Sequence, residues 1–267
     1  MNDIQKEAAE HEVDLDKVGV KGVRYPIVVL DKKNKHQLTV ATINMYVDLP
    51  KHFRGTHMSR FIEILNCHSG RMMLHNMGPI LSEMKEKLDA KSAHLEIAFP
   101  YFIEKTAPVS GQKSIMVYDC KFIASQSDHN SRVAECEEFG ELIVEVNVPV
   151  TSLCPCSKEI SDRGAHNQRS IVTVRVKTEK LVWIEDIVKL VESAASSDVY
   201  ALLKREDEKY VTEKAYDNPR FAEDTVRQIA VELENMPQII WFSVETENYE
   251  SIHNHNAYAS VSRNIER

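Results

Sequence analysis

Ala41, Ile43, Met45 and Val47 alternate with Thr42, Asn44 and Tyr46, the period-two pattern of a strand with one buried face. Met58, Phe61, Ile62 and Leu65 then recur at helical spacing, and Leu81, Met84 and Leu88 predict a second helix after Pro79. Strand patterns return over 95–102 and 114–124. The second half repeats the order. Leu142, Val144, Val146 and Val148 alternate with polar or outward positions, as do Val172, Val174 and Val176. Helical spacing follows at Ile184, Ile187, Val188 and Val191, and again at Ala222, Val226, Ile229 and Leu233. Strands close the half near 240–246 and 257–262. Two blocks of strand pairs with helices between them predict an α+β fold with antiparallel sheets. The first twenty or so residues are polar without periodicity and read as an N-terminal arm (1–20). The remainder, 21–267, reads as one bimodular unit, with a first module over about 21–130 and a second over about 138–267 that carries the candidate metal residues.

Composition narrows the function classes. With 267 residues, 43% hydrophobic and 28% charged, the chain can bury a full core. A net charge of -8, from 33 basic and 41 acidic residues, gives no positive field for nucleic acid. The opening residues carry no signal pattern and no window approaches about 18 apolar residues, so the expected location is cytoplasmic and no membrane partner is expected. Five cysteines, an odd count, argue against a disulfide framework. Cys67 and Cys120 read as small core residues, and Cys136 sits in an acidic run that disfavours a thiolate. There is no Gly-rich phosphate loop, no dinucleotide fingerprint and no nucleophile elbow.

What remains is a metal-type donor set. Cys154-Pro155-Cys156 ends a predicted strand, where Pro155 cannot serve a central ladder. If the chain stays extended, Cys154 and Cys156 face one side, and Lys158 favours a thiolate there. His166 precedes the next strand, so a short connection returns it towards Cys154. His253 and His255 share a face between the last two strands. A thiol and imidazoles with an open position are the arrangement of catalytic rather than structural zinc. Glu223 lies at the polar edge of a helix stripe and can accept hydrogen bonds from a heterocycle. The run Lys204-Arg205-Glu206-Asp207-Glu208-Lys209 reads most simply as a solvated helix end. Two segments have the donors for phosphate: Arg54 to Arg60, around His57 at a helix start, and the turn from Lys105 to Gly111.

Taken together, Thr56-His57-Met58-Ser59-Arg60-Phe61, Lys105-Thr106-Ala107-Pro108-Val109-Ser110-Gly111, the run from Thr151 to Ile160 through Cys154-Pro155-Cys156, Gly164-Ala165-His166-Asn167-Gln168-Arg169-Ser170, the run from Asp207 to Tyr216, and Glu250-Ser251-Ile252-His253-Asn254-His255 resemble the type IB GTP cyclohydrolase I family. The resemblance spans nearly the whole chain after the arm, while the segment from Ser125 to Glu138 carries no motif. It implies a tunnelling fold (T-fold) of tandem modules, with antiparallel sheets, helices segregated on one face, and a homotetramer with sites at subunit interfaces. It implies hydrolysis of GTP to 7,8-dihydroneopterin triphosphate and formate, the entry to tetrahydrofolate, and a divalent metal cofactor: zinc, manganese or iron. The metal ligands it implies are Cys154, Glu208 and His253, with His166 close enough to ligate or to move protons. Cys154 and His166 become the catalytic residues, Glu223 the guanine anchor, and His57 and Arg60 substrate contacts. Two other readings compete: a nitrile reductase of the same fold that uses a cysteine nucleophile and NADPH, and a non-catalytic metal- or purine-binding module.

Overall fold

The structure, a computed structural model, describes residues 5, 7, 9–68, 77–127 and 141–265. Cys136 and its acidic run lie outside the described residues. The chain divides into two compact units, Met1–Pro100 with Lys121–Val144, and Tyr101–Cys120 with Glu145–Arg267.

The first unit begins with β1 (Leu15–Asp31) and β2 (Lys35–Leu49), followed by α1 (Met58–Cys67), α2 (Met77–Leu88), the start of β3 (Ser92–Thr106) and the end of β4 (Lys113–Ser127), whose residues 101–106 and 113–120 belong to the second unit. Its strands are ordered β1-β2-β3-β4. β1 starts inside the stretch read as an arm, because Leu15 pairs with Leu49 and Val18 with Val47 at the far end of the hairpin. Few side chains there are buried, which is why periodicity does not announce the strand. Gly19 permits this pairing: a Cβ would stand 2.0 Å from the carbonyl oxygen of Met45. β2 buries Ala41, Ile43, Met45 and Val47 as its alternation predicts. Phe61, Ile64 and Leu65 of α1 and Met77, Ile80, Leu81 and Met84 of α2 complete this core. α2 starts two residues before Pro79, since proline is tolerated in a first turn.

The second unit holds β5 (Glu141–Leu153) from Glu145 onward, α3 (Pro155–Ile160), β6 (Asn167–Thr178), α4 (Ile184–Ala194), β7 (Ser197–Asp198), α5 (Arg205–Asp217), α6 (Ala222–Glu234), β8 (Ile239–Asn248) and β9 (Ala257–Asn264). The order is β5-β6-β8-β9, with β7 on β5 and the β6–β8 and β8–β9 pairs antiparallel. α4 and α6 contribute Ile187, Val188, Val191, Val226, Ile229 and Leu233 to the core over the strands. The run 204–209 is the solvated first turn of α5, as its charges suggest, except that Asp207 within it is 0% exposed. Among the described residues no helix is long and apolar enough to cross a membrane.

One feature of this sheet positions the site. The buried face of β5 reads Val146, Val148, Val150 and then Ser152. On β6 it reads Val176, Val174, Val172, then Ser170 and Gln168, and on β8 Phe242, Val244, then Thr246 and Asn248. Register aligns the change: Val176 faces Phe242, Val174 faces Val244, Val172 faces Thr246, and Ser170 faces Asn248. At one end the apolar core gives way to a floor of buried polar side chains.

Candidate functional site

Cys154 leaves β5 as the residue capping α3, with Pro155 at the first helical position, where its fixed φ suits the helix. The N–H of Ser157 donates to Cys154 Sγ at 3.4 Å, and Ser157 Oγ donates to the Cys154 carbonyl at 3.1 Å. This corrects the expectation that Cys154 and Cys156 face one cavity. The chain turns helical between them, leaving Cys156 exposed and Cys154 half-buried, and both are free thiols.

Gly164, at φ +93, reverses the chain between α3 and β6. His166 then comes back to the cysteine: the Cys154 N–H donates to the His166 carbonyl at 3.1 Å, and the His166 N–H donates to Ser157 Oγ at 3.2 Å. The ring of His166 lies edge-on to that of His253, with centroids 6.5 Å apart, and His253 stacks on His255 at 5.1 Å. His166 Nδ1 is 2.9 Å from Gln168 Oε1 and 3.8 Å from Glu250 Oε2.

Below the ring, Gln168 Nε2 and Asn248 Nδ2 both donate to Ser152 Oγ, at 3.4 and 3.2 Å. Ser152 Oγ in turn lies 3.2 Å from the Arg220 carbonyl oxygen. The N–H of Arg220 donates to the Leu153 carbonyl at 3.0 Å, which fastens the lead-in to α6 beside the cysteine. Lys158 donates to the carbonyl of Tyr216 and sits over that ring at 4.3 Å, so its charge is held at the end of α5.

Glu208 and Glu223 are exposed, in the first turns of α5 and α6. Among the described residues no three His, Cys, Asp or Glu side chains already lie as ligands of one centre. The donors suit a borderline metal in kind, being a thiol and imidazoles. They are open in spacing: two imidazoles on one tetrahedral ion, with bonds of about 2.0–2.1 Å, bring ring centroids to about 5 Å.

In the first unit His57 precedes α1 without a side-chain cap, and Arg60 donates to the Lys87 carbonyl at 2.8 Å, at the end of α2. The turn from Lys105 to Gly111, expected to offer donors to phosphate, is already occupied by the chain itself. Asp207 accepts from the N–H groups of Val109 and Ser110, both at 2.9 Å, and Lys105 Nζ bonds Glu192 at 2.7 Å and Asp198 at 3.2 Å. Sequence reasoning missed Ser152, Gln168, Asn248 and Glu250. The signal for the first three was present, as polar residues in phase with a buried valine series on each of three strands.

The model of the family described as Type I GTP cyclohydrolase folE2 matches residues 1–259. The GTP cyclohydrolase FolE2 of Geotalea uraniireducens is 59% identical over 263 residues, covering 98% of this chain and 93% of its own length. That of Geobacter metallireducens is 57% identical over 263 residues, covering 98% and 97%. Among solved structures, a hyperthermostable mutant of Bacillus sp. TB-90 urate oxidase has a TM-score of 0.54 at 11% identity, covering 94% of this chain and 98% of that one. The uricase of Arthrobacter globiformis gives 0.50 at 9% identity, covering 94% and 93%. At such identity these show the fold alone, the α+β tunnelling fold. The subtype label IB is finer than the family description carries. A match from the first residue into the last strand, with relatives more than half identical over nearly the full chain, places this chain in the type I GTP cyclohydrolase FolE2 family.

Proposed function

We propose that this protein hydrolyses GTP to 7,8-dihydroneopterin triphosphate and formate, the first step towards tetrahydrofolate, at a site built from Cys154, His166 and His253. The observation that carries this reading is the turn that bonds Cys154 to His166, with the His253 ring edge-on beyond it, in a member of this family. The curated relatives bear the name GTP cyclohydrolase FolE2.

Cys154 and His253, with Glu208 and His166, are the side chains assigned to a divalent metal: zinc, manganese or iron. When bound, such an ion lowers the pKa of a water to about 7, supplying a nucleophile at neutral pH for C8 of guanine. His166 then moves protons to the ring nitrogens as the five-membered ring opens and formate leaves. Glu223 accepts from the guanine N–H edge, a donor pattern that adenine lacks, so it selects the base. His57 and Arg60 are assigned to the triphosphate, supplying binding energy remote from the reacting carbon. The assembly proposed is a homotetramer that brings substrate contacts from neighbouring copies.

The test is incubation of purified protein with GTP and zinc, manganese or iron in turn, reading oxidised pterin fluorescence and released formate. Chelator abolishes both signals and re-addition of metal restores them. Glu223→Ala retains metal but no longer binds GTP. Absence of pterin with every ion sinks the reading. Chelator-insensitive NADPH oxidation with a cyanodeazaguanine would favour a nitrile reductase instead.

A further inference from the structure

The polar floor under His166 leaves its protons only one arrangement. Ser152 Oγ has three neighbours: the Arg220 carbonyl at 3.2 Å, the Asn248 amide at 3.2 Å and the Gln168 amide at 3.4 Å. A hydroxyl has one proton to give and two lone pairs to fill. The carbonyl can only accept, so the hydroxyl proton goes to Arg220. Both amides must therefore present N–H groups to the oxygen. Thr246 Oγ1, which donates to Asn248 Oδ1 at 3.4 Å, supports that orientation of Asn248.

With its Nε2 committed to Ser152, Gln168 turns Oε1 to His166 Nδ1 at 2.9 Å. An amide oxygen can only accept, so Nδ1 carries the proton and Nε2 of the neutral ring is left with its lone pair. Glu250 Oε2, 3.8 Å from the same Nδ1, favours a proton on that nitrogen as well. Gln168 is 7% exposed, Ser152 5% and Asn248 4%, so water offers these groups little alternative partnership. The three are set on β6, β5 and β8, ordered strands rather than loops.

We propose that Ser152 and Gln168 are positioning residues, a relay of hydrogen-bond polarity that starts at the Arg220 carbonyl and holds His166 as its Nδ1–H tautomer with Nε2 bare towards the site. This rests on the reading of His166 as a working residue of the GTP cyclohydrolase site. A bare Nε2 is the atom that ring needs, whether it takes a proton or binds a metal. The relay adds a constraint that neither Cys154 nor His253 supplies.

The tautomer is read on metal-free protein by nitrogen-15 correlation spectra of labelled histidine at about pH 8, where imidazoles are neutral. His166 is assigned by the signal lost in His166→Gln. Wild type is expected to show a protonated Nδ1 and a bare Nε2. Gln168→Leu removes the acceptor and shifts the proton to Nε2 in part or whole. Ser152→Ala keeps Gln168 but lets its amide turn over, so mixed tautomers appear although the residue touching His166 is unchanged. In turnover, Gln168→Leu lowers kcat about 10- to 100-fold with KM for GTP held within about twofold, and Gln168→Glu, which keeps an acceptor, recovers part of the loss.

A wild-type proton on Nε2 overturns the proposal, as does an unchanged tautomer in both Gln168→Leu and Ser152→Ala. Should Gln168→Leu fail to fold, wild type and Ser152→Ala still decide it. Failure of the wild type to make pterin sinks the function reading alone, since the spectra report the relay without turnover.

Discussion

The backbone N–H of Cys154 donates to the carbonyl oxygen of His166 across 3.1 Å, so main chain rather than side chain joins the thiol to the imidazole. Either side chain can therefore be cut back while the turn survives. Cys154→Ala is expected to bring GTP hydrolysis down to background and to weaken metal uptake. It also loses a sulfur cap on Ser157, whose 3.4 Å contact is a weak one. The stability cost belongs at the low end of capping losses, about 0.5 kcal/mol, and about 1–2 °C in Tm for a chain of this size. Turnover and metal analysis beside a thermal melt check this. Full activity in the variant would remove Cys154 from the site.

Gly164 sets the return of His166, and its φ of +93 lies where side chains are strained even though nothing stands within 4 Å of a new Cβ. Gly164→Ala is expected to cost about 1–2 kcal/mol from backbone strain alone. Melting should fall by several degrees, and kcat should fall as well, because His166 sits two residues on. Gly164→Asn should lie between alanine and wild type, since asparagine tolerates positive φ better. Equal losses for the two would point to some cause other than φ.

Much of this arrangement is legible in the chain. The valine alternation of β5 and β6 and the helical stripes of α4 and α6 name their elements, because each buries a full apolar face. α5 escapes the same reasoning: only Asp207 and Ala215 are buried along its 13 residues, so it has almost no stripe to read. Donor type finds Cys154, His166 and His253. Periodicity misleads at Cys156, because a proline that ends a strand can as well begin a helix. Gln168 and Ser152 are in phase with the buried valines of their strands, but a polar residue after such a series reads as the end of the buried face rather than as its continuation.

Asp207 offers a test with a definite pH direction. Burial raises a carboxyl pKa, but hydrogen bonds from Ser110, Lys204 and Val109 outweigh that and hold Asp207 below the usual carboxylate range. A group lowered on folding stabilises the protein above its unfolded pKa, near about 4, and loses that contribution as pH falls through the folded value. Asp207→Asn presents an amide N–H to some of those donors and should unfold at lower denaturant. The gap from wild type should stay level between about pH 5 and pH 8 and narrow below about pH 4. Denaturant titrations across that range check it, and a gap that widens in acid would contradict the sign. Under the proposed assignment of Glu208, the next residue, to the metal, metal affinity should fall in parallel at neutral pH.

Lys105 separates a structural cation from a substrate contact. Its ammonium bonds Glu192 at 2.7 Å, Asp198 at 3.2 Å and the Val199 carbonyl at 3.0 Å, and lies 4.2 Å from the centre of the Tyr200 ring. Burial raises the pKa of Glu192 while Lys105 opposes the shift, so the carboxylate depends on its cation to stay charged. Lys105→Met leaves Asp198 with Lys214 at 2.7 Å but, among the described residues, leaves Glu192 the Tyr118 hydroxyl at 2.9 Å. Removing one member of a buried pair should cost about 3–5 kcal/mol. Adding Glu192→Gln to the variant should recover part of that, a coupling of about 0.5–3 kcal/mol in a double-mutant cycle. KM for GTP in the folded fraction should not move. A lysine that instead gripped triphosphate would give the opposite result, a raised KM with little change in denaturant midpoint, and the two measurements on one variant distinguish these roles.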